Sequence, residues 1–300
     1  MRFSGLKRDL SALGLPLREA EPLRRHTTVR TGGEAALMAF PRTGAELERL
    51  CGYLRRREVP CFFLSGGSKV LFPDEGFPGV VVNLRTLRGL RELSPGRVEV
   101  LCGTPVAALI AYGLRKGYGG AEFLVGIPAT VGGAVRMNAG AFGECMGDLV
   151  EEILILKEEG FVRWAASPGT FGYRSFRGPE GVILSAVVRL RPLGREGVRR
   201  RIERFLAARR SGQPFGVPSF GCAFRNPGEG PPAGWLIERV GLKGRSRGGA
   251  VVSPRHANFI VNTGRAASRD ILDLMEEARE RVHQRFGILL EPEVRIVGRA

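Results

Sequence analysis

The segment GIPATVGGAVRMNAGA, Gly126 to Ala141, constrains this chain more than any other. Eight of its sixteen residues are Gly or Ala, yet it also carries Thr130, Arg136 and Asn138. Side chains this small let something lie against the backbone, either another part of the protein or a ligand. Internal packing or an open loop is the plainer alternative for such a run. A second glycine turn, LSGGSKVLF from Leu64 to Phe72, follows an apolar run at Cys61 to Leu64 and offers successive backbone N–H groups with the hydroxyls of Ser65 and Ser68. Backbone nests of that kind can hold a pyrophosphate without a Lys or a metal. In the first segment Gly132, Gly133 and Gly140 permit close approach, and Thr130 and Asn138 supply hydrogen-bonding groups. Taken together, the two turns point to one extended phosphate-bearing ligand held from two sides. Neither G-x-G-x-x-G between a strand and a helix nor G-x-x-x-x-G-K-[ST] is present.

With 300 residues and 43% hydrophobic content the chain buries a core of ordinary size, in two or three compact parts. No apolar run approaches the roughly 18 residues needed to cross a bilayer. The start, MRFSGLKRDLSALGLP, lacks the apolar stretch and cleavage site of a secretory leader, so a cytoplasmic protein without a membrane partner is expected. Five widely spaced cysteines give neither a disulfide framework nor a metal knuckle, and no metal site is expected. Four of them (Cys51, Cys61, Cys102 and Cys145) read as small buried apolar residues; Cys222 stands apart.

A net charge of +16 raises the question of nucleic acid. The 46 basic residues are 41 Arg and only 5 Lys, spread along the whole chain, and no zinc-finger, RNP or basic-zipper pattern accompanies them. The densest cluster, Gly194 to Arg210, sets Val198, Ile202 and Phe205 at helical spacing, so its arginines form the solvated side of an amphipathic helix. Excess Arg equally suits an enzyme whose ligands carry phosphate. Asn and Gln together number seven, a scarcity of thermolabile amides, and Asn138, Asn226, Asn258 and Asn262 sit in the Gly-rich or polar segments where a task would retain them.

Helical periodicity marks Ala45 to Arg57, Pro105 to Lys116 and a run from Ser268 to a stop at Gly287. Strand-like runs sit at Cys61 to Leu64, Val80 to Leu84, Val98 to Cys102, Ile153 to Lys157, Val182 to Leu190 and Phe259 to Asn262. The irregular alternation predicts an α+β chain. The clearest boundary is RPLGREG, Arg191 to Gly197. Three segments mix reactive types: FGYRSF (Phe171 to Phe176), PSFGCAFRNP (Pro218 to Pro227) and LEPEVRIV (Leu290 to Val297). As a strand, the last would put Glu291, Glu293 and Arg295 on one face and Val294 and Ile296 on the other.

In this order, with HTTVRTGG (His26 to Gly33), AGWLIERVGLKG (Ala233 to Gly244) and SPRHANFIVN (Ser253 to Asn262), these segments resemble the UDP-N-acetylenolpyruvoylglucosamine reductases over residues 26 to 298. Only 48 positions separate Arg174 from Cys222, which resembles the shorter (type II) class of that family. The resemblance implies a vanillyl-alcohol-oxidase-type fold: FAD-binding subdomains at 1–85 and 86–194, and a C-terminal α+β substrate domain at 195–300. It implies FAD and NADPH as cofactor and reductant, and conversion of UDP-N-acetylglucosamine enolpyruvate to UDP-N-acetylmuramate for peptidoglycan. Because the first turn reads Gly66-Gly67-Ser68, without the His that links some relatives of the fold to flavin, the FAD is expected to be noncovalent. A monomer that binds neither nucleic acid nor membrane is expected.

The resemblance carries cofactor contacts to Arg30, Ser65, Gly66, Gly67, Ser68, Gly126, Thr130, Gly132, Gly133 and Asn138. Substrate contacts fall on Tyr173, Asn226 and Arg295. Catalytic roles fall on Arg174 and Glu293, which stabilise the enolate formed by hydride transfer, Glu293 only if it is protonated or shares a proton, and on Cys222, which donates the proton. Much of the family has Ser where this chain has Cys222. An oxidase or dehydrogenase on the same flavin fold, and an Arg-rich nucleic-acid-binding protein, are the competing readings.

Overall fold

Residues 3–298 are described by a computed structural model of the chain. Packing divides them into two units. The first comprises the described residues up to Glu19 with Leu37–Gly66 and Gly79–Ala208; the second comprises Ala20–Ala36, Gly67–Pro78 and the residues from Arg209 onward. Residues 1–2 and 299–300, at the outer ends of the expected first and third parts, lie outside the described residues.

In the first unit a five-stranded antiparallel sheet runs in the order Gly160–Ala165, Val150–Lys157, Val182–Arg189, Arg97–Leu101, Leu90–Ser94. Val182–Arg189 lies at its centre, and six consecutive residues, Ile183 to Val188, are buried, all of them apolar except Ser185. The short helix Val131–Arg136 lies across Val182–Arg189 and Arg97–Leu101. In the same unit Cys61–Leu64, an edge strand, pairs in parallel with residues 80–83 of the strand Phe77–Asn83.

The helix Gly44–Arg56 begins where Thr43 Oγ1 accepts the Glu46 N–H at 3.1 Å, and its Leu47, Leu50 and Leu54 enter the core. Each such leucine contributes about 1.5–3 kcal/mol of burial. The expected helix at 105–116 is Val106–Lys116, closed by Gly117 at φ +75°.

In the second unit an antiparallel sheet ordered Ser219–Cys222, Phe259–Asn262, Ala250–Val252, Ser246–Arg247 is covered by the helix Ser268–Phe286. That helix buries Ile271, Leu274, Met275, Ala278 and Val282 and stops at Gly287, in the left-handed conformation at φ +68°. Long-range polar contacts explain why 20–36 and 67–78 belong here. Asp74 receives the N–H groups of Ser268 and Arg269 at 2.8 and 3.0 Å, capping the helix from 194 residues away. Thr28 Oγ1 donates to the Ser219 carbonyl at 2.6 Å, and Asn262 Nδ2 to the Val29 carbonyl at 2.9 Å.

Two expectations are corrected. The strand expected over 290–297 contracts to Arg295–Ile296, parallel to Val70–Leu71, because Pro292 has no N–H for a ladder and makes only an isolated bridge to Phe224. Glu291, Glu293 and Arg295 therefore share no face: Glu293 is buried, while Glu291 and Arg295 are exposed. Of the four cysteines expected in the core, only Cys102 is buried; Cys51 and Cys145 are half-buried, and Cys61 is exposed at the first residue of an edge strand. Burial pushes the Cys102 thiol up to about 12.

Candidate active site

In the first unit the two glycine-rich segments meet. Ser65 Oγ and Thr130 Oγ1 share a short hydrogen bond, and Thr130 is buried. A Cβ on Gly66 would fall 3.2 Å from the Thr130 nitrogen and 3.3 Å from Ala129 Cα, so the turns are in backbone contact and glycine is what allows it. Gly126, exposed at φ +78°, opens the second segment.

Gly132 and Gly133 differ. A Cβ on Gly132 would sit 2.6 Å from Cys102 Cβ, and the Gly132 N–H already donates to the Cys102 carbonyl at 2.9 Å. Its smallness lets the helix Val131–Arg136 pack against the turn that holds Cys102. Gly133 is half-exposed, with only Thr130 Oγ1 near its missing Cβ, at 3.6 Å.

Asn138 acts as a clamp between two segments. Buried at φ +39°, it donates from Nδ2 to the Gly172 carbonyl at 2.9 Å and accepts the Gly147 N–H on Oδ1 at 2.8 Å. Its amide thus holds the hairpin Phe171–Gly172/Ser175–Phe176, whose two turn residues are Tyr173 and Arg174. Arg174 is held at φ +51°, a conformation that costs a non-glycine residue about 1–3 kcal/mol. Its guanidinium packs where a Cβ on Gly140 would stand, 3.3 Å away, and stacks 5.2 Å from the ring of Tyr173, which is 55% exposed. The glycine-rich segment therefore supports Arg174 as well as meeting the Ser65 turn.

In the second unit Gly67, at φ +66°, packs so tightly that a Cβ would fall 1.9 Å from the His26 carbonyl oxygen, and its own carbonyl accepts the Thr28 N–H at 3.0 Å. Ser68 is half-buried and Arg30 exposed at φ +58°.

Cys222 ends the strand Ser219–Cys222 just after a register shift that Gly221, at φ +77°, makes possible. The segment is gripped by Asn258, whose Oδ1 accepts the Phe224 N–H at 2.9 Å and whose Nδ2 donates to the Phe224 carbonyl at 2.8 Å. Glu293 comes alongside, its N–H donating to the Ala223 carbonyl at 2.8 Å and its carboxylate 2.8 Å from the ammonium of Lys69. Lys69 Nζ also donates to the Cys222 carbonyl at 2.8 Å.

Lys69 is the residue that the sequence reading missed. Its signal was available: it is one of five lysines, inside the glycine turn, where a chain so biased to Arg would be expected to carry another type. Asn226 lies in the same unit and its Oδ1 accepts the Ala233 N–H at 3.1 Å, at the start of the helix Ala233–Arg239; Arg295 is exposed. Among the described residues no cluster of His, Cys, Asp or Glu could hold a metal ion, and no helix is long and apolar enough to cross a membrane.

Within the first unit, Ser65, Gly66 and Thr130 present hydroxyls and backbone amides with no carboxylate among them. That donor set fits the phosphoryl oxygens of a dinucleotide.

Residues 35–166 match the FAD binding domain family, and residues 213–297 the C-terminal domain of UDP-N-acetylenolpyruvoylglucosamine reductase. The reductase of that name from Synechococcus sp. (strain JA-3-3Ab) is 44% identical over 282 residues, covering 92% of this chain and 90% of its own length. That from Gloeobacter violaceus is 43% identical over 279 residues, covering 91% and 93%. The crystal structure of the Thermus caldophilus UDP-N-acetylenolpyruvylglucosamine reductase superposes with a TM-score of 0.78 at 34% identity, over 94% of this chain and 98% of that one. An alkyldihydroxyacetonephosphate synthase, 18% identical over 64% of this chain and 44% of its own, shares the fold alone at a TM-score of 0.51. The fold is accordingly of the vanillyl-alcohol-oxidase type with a C-terminal α+β domain.

Proposed function

The chain belongs to the UDP-N-acetylenolpyruvoylglucosamine reductase family, and from that membership we propose how its residues act. It is an FAD-dependent oxidoreductase that uses NADPH to reduce the enolpyruvyl ether of UDP-N-acetylglucosamine to the lactyl ether, giving UDP-N-acetylmuramate for peptidoglycan. The observation that carries the site assignment is local to the second unit: a half-buried thiol, Cys222, on a glycine-bulged strand whose next residue is bonded to a buried carboxylate residue, Glu293.

When bound, noncovalently, FAD would supply the hydride-carrying chemistry between NADPH and the terminal methylene carbon of the substrate. Arg30, Ser65, Gly66, Gly67, Ser68, Gly126, Thr130, Gly132, Gly133 and Asn138 would hold it. The negative charge that develops on the adjoining carbon and its carboxylate requires a cation or acid already aimed at it. The guanidinium of Arg174 supplies the cation, kept in place by Asn138 and Gly140. Glu293 steadies the reacting end of the substrate. The Cys222 thiol gives its proton to the adjoining carbon, one S–H bond breaking as one C–H bond forms, and recovers it from solvent. Tyr173, Asn226 and Arg295 contact the nucleotide sugar.

In this reading residues 1–85 and 86–194 are the two FAD-binding parts and 195–300 the substrate domain. The protein works in the cytoplasm as a monomer, binds neither nucleic acid nor membrane, and supports cell-wall biogenesis and with it cell shape, division and the cell cycle.

Steady-state assay tests the function. NADPH consumption is expected only when UDP-N-acetylglucosamine enolpyruvate is present, with a product two hydrogens heavier by mass spectrometry. NADPH consumption that depends on oxygen and ignores the nucleotide would favour an oxidase instead.

A further inference from the structure

Lys69 joins the segments on which three of the site residues of the second unit lie. Its ammonium donates to the Cys222 carbonyl and pairs with the Glu293 carboxylate, each at 2.8 Å, and its backbone carbonyl accepts the Arg295 N–H at 3.0 Å. The side chain is 24% exposed and that of Glu293 only 6%, so the pair is screened far less than a surface ion pair. Gly221 is part of the same fitting: a Cβ there would stand 3.4 Å from Lys69 Nζ.

Charge makes the arrangement more than a brace. A carboxylate beside a centre that gains negative charge opposes the reaction unless a cation offsets it. Lys69 is the cation paired with Glu293, and the same ammonium fixes the backbone that carries the Cys222 thiol. We propose, on the basis of the reductase reading above, that Lys69 is a positioning residue: it holds the Glu293 carboxylate and the Cys222 backbone in register with each other and offsets the charge of Glu293 while the substrate is protonated.

The test separates the two halves of the catalytic cycle in the FAD-loaded protein, for native chain, Lys69→Met, Glu293→Gln and the double variant. Bleaching of the flavin absorbance by NADPH is recorded for each and serves as the reference for its second half-reaction. Return of colour on adding UDP-N-acetylglucosamine enolpyruvate without oxygen should slow by about tenfold or more in Lys69→Met at saturating substrate, while the concentration giving half the maximal rate moves less than about threefold. In the Glu293→Gln background the same Lys69→Met change should cost less than about threefold, because the charge that Lys69 offsets is gone.

Lys69→Met removes the cation that pairs with the buried Glu293, so FAD retention is measured in it and in the double variant. If it loses FAD and the double variant retains it, the pairing with Glu293 is again what Lys69 provides. Native rates in Lys69→Met, an equal loss in both backgrounds, or loss of FAD from both Lys69 variants would overturn the proposal. A native chain that bleaches with NADPH but never recolours with the nucleotide would overturn the reductase reading and this proposal together.

Discussion

Gly132 and Gly133 are adjacent in the chain and have opposite surroundings. The missing Cβ of Gly132 points at Cys102 Cβ, 2.6 Å away, whereas that of Gly133 meets only the Thr130 hydroxyl at 3.6 Å. Gly132→Ala is therefore expected to lower stability by about 1–3 kcal/mol through overpacking. Gly133→Val should leave the fold intact and reduce the FAD retained through purification. Melting temperature and the flavin-to-protein absorbance ratio check the pair; equal melting losses in both would refute the distinction. The composition of this segment showed that something approaches its backbone but not what. Cys102 lies in the turn after the strand Arg97–Leu101, and its approach to Gly132 is set by tertiary packing rather than by any local pattern. Asn138 was similarly legible as a retained amide and illegible as a clamp, because its partners, Gly147 and Gly172, lie 9 and 34 residues away.

At the scale of elements, the long helices were read from their apolar spacing, and Gly287 as a stop, because those signals are local. The helix Val131–Arg136 was not, since six residues with two glycines carry too little periodicity. The loops around the site depend on asparagines: Asn258 holds Phe224 at both its N–H and its carbonyl, and Asn262 receives the Gly264 and Ala266 N–H groups at 2.8 and 3.0 Å. The Asn258 clamp is in turn oriented by His256, whose Nδ1 accepts the Asn258 N–H at 3.2 Å and so requires a neutral ring.

Burial pushes the His256 imidazole below its ordinary value, and the Lys243 ammonium acts in the same direction. With the folded value below the unfolded one of about 6.5, the unfolded chain binds the extra proton first, so this contribution to stability is present above about 6.5 and is lost as pH falls toward the folded value. Melting temperature should thus decline on acidification through the histidine range, and His256→Asn should flatten that slope. An unchanged slope in His256→Asn would show that the decline comes from elsewhere.

For the whole molecule, the order of motifs along 273 residues, 26 to 298, made the family legible, because order and spacing survive where any one motif is ambiguous. The packing units were not legible. The second gathers 20–36 and 67–78 with the C-terminal residues through contacts such as Asp74 to Ser268, which bridge 194 positions and leave no mark in either segment alone. The charge of +16 is dispersed likewise, and much of it is paired at short range, as in Arg97 and Arg189 with Glu151 at 2.8 and 2.6 Å. It is the background against which a lone Lys in a glycine turn stands out.

The central claim is that NADPH oxidation and substrate protonation are separable duties of this chain, the second falling to Cys222. The direct measurement is flavin absorbance under anaerobic conditions, in native protein and in Cys222→Ala, first with NADPH and then with UDP-N-acetylglucosamine enolpyruvate. Both proteins should bleach at the same rate and only the native one should promptly regain its colour with formation of UDP-N-acetylmuramate. Equally fast recovery and product formation in Cys222→Ala would contradict the account.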